Sequence, residues 1–118
     1  MLCSCDNCKD SDTLFNQLSQ LGKNLRYDEQ LNEFINLFST LGNMERLIII
    51  NVLKEKDRCV CELEAILDKS QPSISHHLRE LEKLNLIRGL KKGKFTYYSL
   101  NKKKLNSNLV NILNSLRV

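Results

Sequence analysis

A chain of 118 residues, 42% hydrophobic and 27% charged, can bury one modest core and is expected to be a soluble globular domain. No apolar run approaches bilayer length, and Cys3, Cys5, Asp6, Cys8 and Asp10 replace the basic-then-apolar order of a signal peptide. No membrane partner is therefore expected, and the cytoplasm is the expected location. The formal charge of +4 is unevenly spread: residues 1–68 carry a net −5 and residues 69–104 a net +8. A basic block of that density suits a phosphate backbone, with a solvated surface as the alternative.

Helical periodicity dominates from the N-terminal side. Leu14, Leu18, Leu21 and Leu25 repeat at helical spacing after Ser11 or Asp12 as cap, and Gly22 is expected to end or weaken that helix. A second helix is predicted from Asp28 to about Leu41, with Leu31, Phe34, Ile35, Phe38 and Leu41 on one stripe. Gly42-Asn43 breaks it, and Asn43 can cap a third helix running to about Lys54. Leu47 to Ile50, Val52 and Leu53 make that helix apolar nearly all round, as a central core helix is. A short helix over Cys61–Leu67 and the turn Asp68-Lys69 lead to Ser70, the cap of a helix over Gln71–Leu84. Pro72 is tolerated in its first turn, where backbone N–H groups lack partners. Ile74, His77, Leu78, Leu81 and Leu84 form its inner stripe, so His77 reads as a core or interface histidine. Two short strands, about Ile87–Leu90 and Phe95–Leu100, flank a tip of Lys91, Lys92, Gly93 and Lys94, with Gly93 supplying positive φ. Leu105, Leu109, Ile112 and Leu116 mark a last helix.

The fold class expected is mainly α with a two-stranded β-hairpin wing: a winged helix-turn-helix. Residues 1–27 form a cysteine-containing extension with a helix, and residues 28–118 form the DNA-binding and dimerisation domain. Gln71, Ser73, Ser75 and His76 point away from the apolar stripe and can hydrogen-bond base edges or phosphates. Ser70 and Arg79 complete the candidate set on that helix, and Lys91, Lys92 and Lys94 are placed to reach the adjacent backbone. Each piece alone has a plainer reading, since helix-start serines are usually caps and lysine-rich hairpins are usually just solvated. Their combination is what is specific.

Ser70-Gln71-Pro72-Ser73-Ile74-Ser75-His76-His77-Leu78-Arg79-Glu80-Leu81 resembles the recognition-helix signature of ArsR/SmtB-type repressors. Gly93 to Leu100 resembles that family's wing and second strand, and Leu41-Gly42-Asn43-Met44-Glu45-Arg46 the start of its central helix. The resemblance covers about residues 28 to 118. It implies a homodimer paired through first and last helices, double-stranded operator DNA as partner, and release from DNA when an inducer binds.

Five cysteines fall in two clusters, Cys3, Cys5 and Cys8, then Cys59 and Cys61. An odd count in a reducing compartment argues for metal binding or redox sensing rather than a disulfide framework. Arg58-Cys59-Val60-Cys61-Glu62-Leu63 resembles the Cys-Val-Cys-Asp-Leu element of the family's arsenic- and cadmium/lead-sensing branches. Cysteines at i and i+2 point to opposite sides of a regular helix, so one ion can hold both only where the helix start is extended or unwound. The arsenic branch often adds a third cysteine one turn later, where this chain has Glu64-Ala65-Ile66. The cadmium/lead branch recruits thiols from the partner's N-terminal extension, a part open to Cys3, Cys5 and Cys8, with Cys5 and Cys8 favoured. Soft thiolates select As(III), Sb(III), Cd(II), Pb(II) or Zn(II). The alternative is that Cys59 and Cys61 are ordinary small buried residues. The family's other common site, on the last helix, is not expected here: Asn101, Lys102, Lys103, Lys104, Asn108, Asn111 and Asn114 stand there without a histidine.

Two other functions compete. A thiol switch would keep the DNA function and change the signal, with Lys56 and Arg58 favouring thiolate. A thiol oxidoreductase or metal-carrying protein would use Cys5-Asp6-Asn7-Cys8, but no βαβ pattern follows it. No nucleophile–base–orienter set and no phosphate-binding glycine loop appears, so neither enzymatic activity nor an organic cofactor is expected.

Overall fold

The structure, a computed structural model, describes residues 11–117; Cys3, Cys5 and Cys8 lie outside them. The chain forms two compact units, Met1–Asn36 and Leu37–Val118. In the first, α1 spans Ser11–Arg26 and α2 begins at Glu29, running to Leu41. Asp28 starts α2 by accepting the Gln30 N–H on Oδ1 at 3.2 Å. Asn32 closes the bend between the helices, its Nδ2 donating to the carbonyls of Arg26 at 3.0 Å and Asp28 at 2.8 Å. Of the two outcomes expected for Gly22, ending α1 is not met: the helix runs on to Arg26. A mid-helix glycine costs only about 1 kcal/mol relative to alanine, and nothing around it demands another conformation.

The second unit holds the core. Asn43, extended, caps α3 (Met44–Glu55) by accepting the Arg46 N–H. Next come β1 (Arg58–Cys59), α4 (Val60–Leu67), α5 (Gln71–Lys83), β2 (Ile87–Lys92), β3 (Phe95–Leu100) and α6 (Lys102–Leu116). Ile49 of α3, Leu63 of α4, Ile74, Leu78 and Leu81 of α5 and Leu86 are sealed from solvent. The apolar α3 is central, packing on α4, α5 and β3. It is not buried all round, however: Ile49, Ile50 and Leu53 face the core, while Met44 and Leu47 are exposed. Replacing Leu63 with Ala should cost about 2–5 kcal/mol, because α4 has no other buried residue to anchor it in the core. A urea midpoint that moves by less than the equivalent of about 1 kcal/mol would contradict this packing.

Strand order is β1-β3-β2, all antiparallel. The hairpin expected from sequence is there, with Gly93 at φ 64. The turn is tighter than expected: β2 continues through Lys91 and Lys92, which pair with Thr96 and Phe95, leaving only Gly93-Lys94 at the tip. Pairing with β3 keeps β2 extended through Lys92, so polarity alone did not end the strand. The third strand was not foreseen. Arg58 and Cys59 pair with Tyr98 and Tyr97, fastening the cysteine segment to the wing's inner strand.

Candidate nucleic-acid interface and thiol pair

Ser70 has extended backbone at the start of α5, and its hydroxyl makes no capping hydrogen bond. Behind it, Ile74, His77, Leu78 and Leu81 turn inward and are buried. Gln71, His76 and Arg79 are exposed, while Ser73 and Ser75 are half-buried. The first turn carries no acidic residue, so the positive end of the helix dipole is presented without a competing carboxylate. Lys91, Lys92 and Lys94 are exposed on the wing. Alternation sends Lys91 and Lys92 to opposite faces of the hairpin, and the Lys92 ammonium lies 5.6 Å from the Tyr97 ring centroid. The start of α5 exposes polar side chains and the wing exposes cationic ones, chemistry suited to a nucleic-acid groove and its phosphates.

Sequence reasoning missed one residue at this surface. Arg46, in the first turn of α3, donates from Nε to Nδ1 of His77 at 3.1 Å and from Nη1 to the Thr40 carbonyl at 3.2 Å. Its Nη2 lies 3.5 Å from His76 Nε2. Burial, then the Arg46 charge, holds His77 below the ordinary imidazole range. The signal available in sequence was an arginine near the start of a helix, where a cation opposes the dipole and needs a reason to be there.

Cys59 is the N-cap of α4, extended at φ −87 and ψ 166, and half-buried. Cys61, in the first turn, is exposed, and both are free thiols. The Glu62 carboxylate accepts the Cys59 backbone N–H at 3.1 Å, and this bond is the main cause that lowers its pKa. Arg58 is clamped beside it, bonded to Glu55 at 2.9 Å and to Glu62 at 3.5 Å. Its charge is thus taken up by two carboxylates instead of being turned toward the thiol. Donor chemistry and backbone suit a thiophilic ion: two soft sulfurs at an extended-to-helical junction, the geometry that the i, i+2 spacing requires. Among the described residues no group of three or more His, Cys, Asp or Glu side chains is assembled to hold a metal, so further donors would have to come from elsewhere.

Comparison with known proteins places these features in a family. Residues 43–88 match the family model for bacterial regulatory proteins of the arsR family. The arsenical resistance operon repressor of Bacillus subtilis is 35% identical over 79 residues, covering 66% of this chain and 75% of the relative. The cadmium resistance transcriptional regulatory protein CadC of Listeria innocua is 40% identical over 62 residues, about half the length of each, 52% and 52%. A solved structure described as a possible transcriptional regulator for arsenical resistance superposes with a TM-score of 0.61 at 27% identity, covering 69% of this chain and 83% of that one. No helix among the described residues is long and apolar enough to cross a membrane. The chain belongs to the ArsR family of winged helix-turn-helix transcriptional regulators.

Proposed function

We propose that the chain is a homodimeric repressor that binds operator DNA through the start of α5 and the wing. It leaves DNA when Cys59 and Cys61 take up a thiophilic ion: As(III), Sb(III), Cd(II), Pb(II) or Zn(II). The observation that carries this reading is the position of the thiols. They open the eight-residue α4, which packs on α5 and is separated from it only by Asp68, Lys69 and Ser70. The relatives' names, arsenical resistance repressor and cadmium resistance regulator, support the same class of signal.

Cys59 and Cys61 would hold the ion, with thiols from Cys3, Cys5 or Cys8 completing its shell, Cys5 and Cys8 first. The bound ion would supply a strong, geometrically demanding bond between sulfurs that are otherwise independent. Cys59 is fastened on one side to Tyr97 of β3 and on the other to Glu62. Drawing its sulfur toward Cys61 would therefore strain the start of α4, and α4 would pass that strain to α5, on which it packs. A coupling of about 1–3 kcal/mol is usual for such linkage, and full release needs more.

The DNA-binding half is tested separately from the signal. On a duplex enriched from a random pool by the wild-type protein, Gln71→Ala or Ser73→Ala should cost about 1–3 kcal/mol if the side chain reads a base. Lys94→Ala, at the wing tip, should weaken all duplexes alike and reduce the slope of log K against log salt by about one charge. Unchanged affinity in a folded Gln71→Ala/Ser73→Ala protein would remove α5 from the interface.

A further inference from the structure

Arg46 stands where electrostatics alone would not put it. It lies in the first turn of α3, at the positive end of that helix's dipole. Its guanidinium is engaged on three sides: the Thr40 carbonyl in the last turn of α2, His77 Nδ1 on the buried side of α5, and His76 Nε2 at the edge of hydrogen-bond range. The Thr40 carbonyl belongs to a helix end that leaves carbonyls without intrahelical partners, so Arg46 satisfies one of them. One side chain thus joins the end of α2, the start of α3 and the body of α5.

The bond to His77 has a fixed sense. Arginine only donates, so Nδ1 must accept, and the imidazole must be neutral with its proton on Nε2. A protonated His77 has no lone pair to offer and places a second positive charge 3.1 Å from the guanidinium. We propose that Arg46 is a positioning residue for DNA reading, fixing the pose of α5 through a bond to His77 that exists only while that imidazole is neutral. This rests on the reading of α5 as the DNA-contacting helix.

Four ionisable groups act on His77. Arg46 and Glu45 come from α3, His76 from α5 itself, and Lys69 from the turn before α5. Glu45 favours the charged form and the other three oppose it, while burial opposes it most. Glu45 is drawn partly away, since Lys69 Nζ lies 3.9 Å from its carboxylate. That pair is a second tie between α3 and the segment leading into α5. The balance holds His77 neutral below the pH at which an ordinary histidine charges. The loss of the bond therefore falls at mildly acid pH, below about 6.5. A histidine with lowered folded pKa favours the native pose at higher pH and opposes it as pH falls. His76 is a second imidazole on the exposed side of the same helix, so the test of His77 is made in its absence.

The test uses the full-length protein and the duplex enriched from a random pool by the wild type, with a scrambled duplex as control. Arg46→Lys keeps the charge and loses the fork, and should weaken the enriched duplex about tenfold while leaving the scrambled one within about twofold. In a His76→Gln background, affinity for the enriched duplex should hold through neutral pH and fall only as the pH drops below about 6.5. Adding His77→Asn, whose amide oxygen can still accept from Arg46 and does not titrate, should keep affinity within about threefold and flatten that fall. A pH profile unchanged by His77→Asn, or an Arg46→Lys protein that loses both duplexes equally, overturns the proposal. Imidazole nitrogen chemical shifts of the free protein give a reading independent of DNA: His77 should be the Nε2–H tautomer at neutral pH. The other tautomer refutes the bond. If no duplex is enriched at all, the DNA reading fails while the nitrogen shifts still decide the Arg46–His77 bond.

Discussion

Replacing both Cys59 and Cys61 with serine is expected to leave the protein on DNA at ion concentrations that release the wild type. Structurally the substitution is mild. Residue 59 is the N-cap of α4, where serine is among the preferred residues and cysteine is not, so α4 should be no less stable. Cys61 is exposed, and a hydroxyl there costs no buried contact. The Glu62 bond to the backbone N–H of residue 59 survives, because it does not involve the side chain. Loss of two thiolates, by contrast, removes the donors that select soft ions, and the coupling of about 1–3 kcal/mol disappears with them. Wild-type ion affinity should also weaken as pH falls, since protons compete for sulfur. Single serines at Cys3, Cys5 and Cys8 should grade the response and identify which of them ligate. Anisotropy with a labelled duplex, titrated separately with As(III), Cd(II), Pb(II) and Zn(II) under reducing conditions, measures all of this. Release by oxidant and not by any ion would favour the thiol-switch alternative. Release of the double variant at the wild-type ion concentration would place the sensor elsewhere.

The features legible in the sequence are those whose physics is local. Asn43 caps a helix because its side chain reaches an N–H three residues on. Gly93 marks the hairpin because the turn needs positive φ. The inner stripe of α5 repeats at helical period, so Ile74, Leu78 and Leu81 announce their own burial. The missed features depend on residues far apart in the chain. β1 is two residues long and has no alternation to detect; it is a strand only because β3 lies beside it. Arg46 and His77 are 31 positions apart, and nothing local to either specifies the other. Met44 and Leu47 look like core residues in an apolar helix, yet they stay exposed because a helix has more sides than its neighbours cover. For the candidate site, helix and wing positions were readable from the motif. Which hydroxyls are half-buried, and which lysine lies over Tyr97, required the packing.

Changing Leu113 to Asp should turn the proposed dimer into a folded monomer. The stripe expected to pair was Leu105, Leu109, Ile112 and Leu116, with a second over Leu31–Leu41. Within α6 the burial divides that stripe. Ile112 is only 6% exposed and already belongs to the protomer's own core. A carboxylate at Ile112 would be buried without a partner and should unfold the protomer, so it cannot report on pairing. Leu109, Val110, Leu113 and Leu116 are 42%, 52%, 69% and 62% exposed, a row of large apolar side chains that a lone protomer leaves in water. Leu113 is the most exposed of the four, so an aspartate there is solvated in a monomer and costly only when a second copy covers it. The variant should therefore still unfold cooperatively, at a lower Tm that no longer depends on protein concentration, while sedimenting at half the mass at micromolar concentration. Operator affinity should fall much further than any single base contact explains. Two linked half-site contacts gain about 10²–10⁴ over one through effective concentration, and the monomer forfeits that gain. A wild-type protein that already sediments as a monomer at micromolar concentration, or a Leu113→Asp protein that remains dimeric, would show that α6 is not the pairing surface.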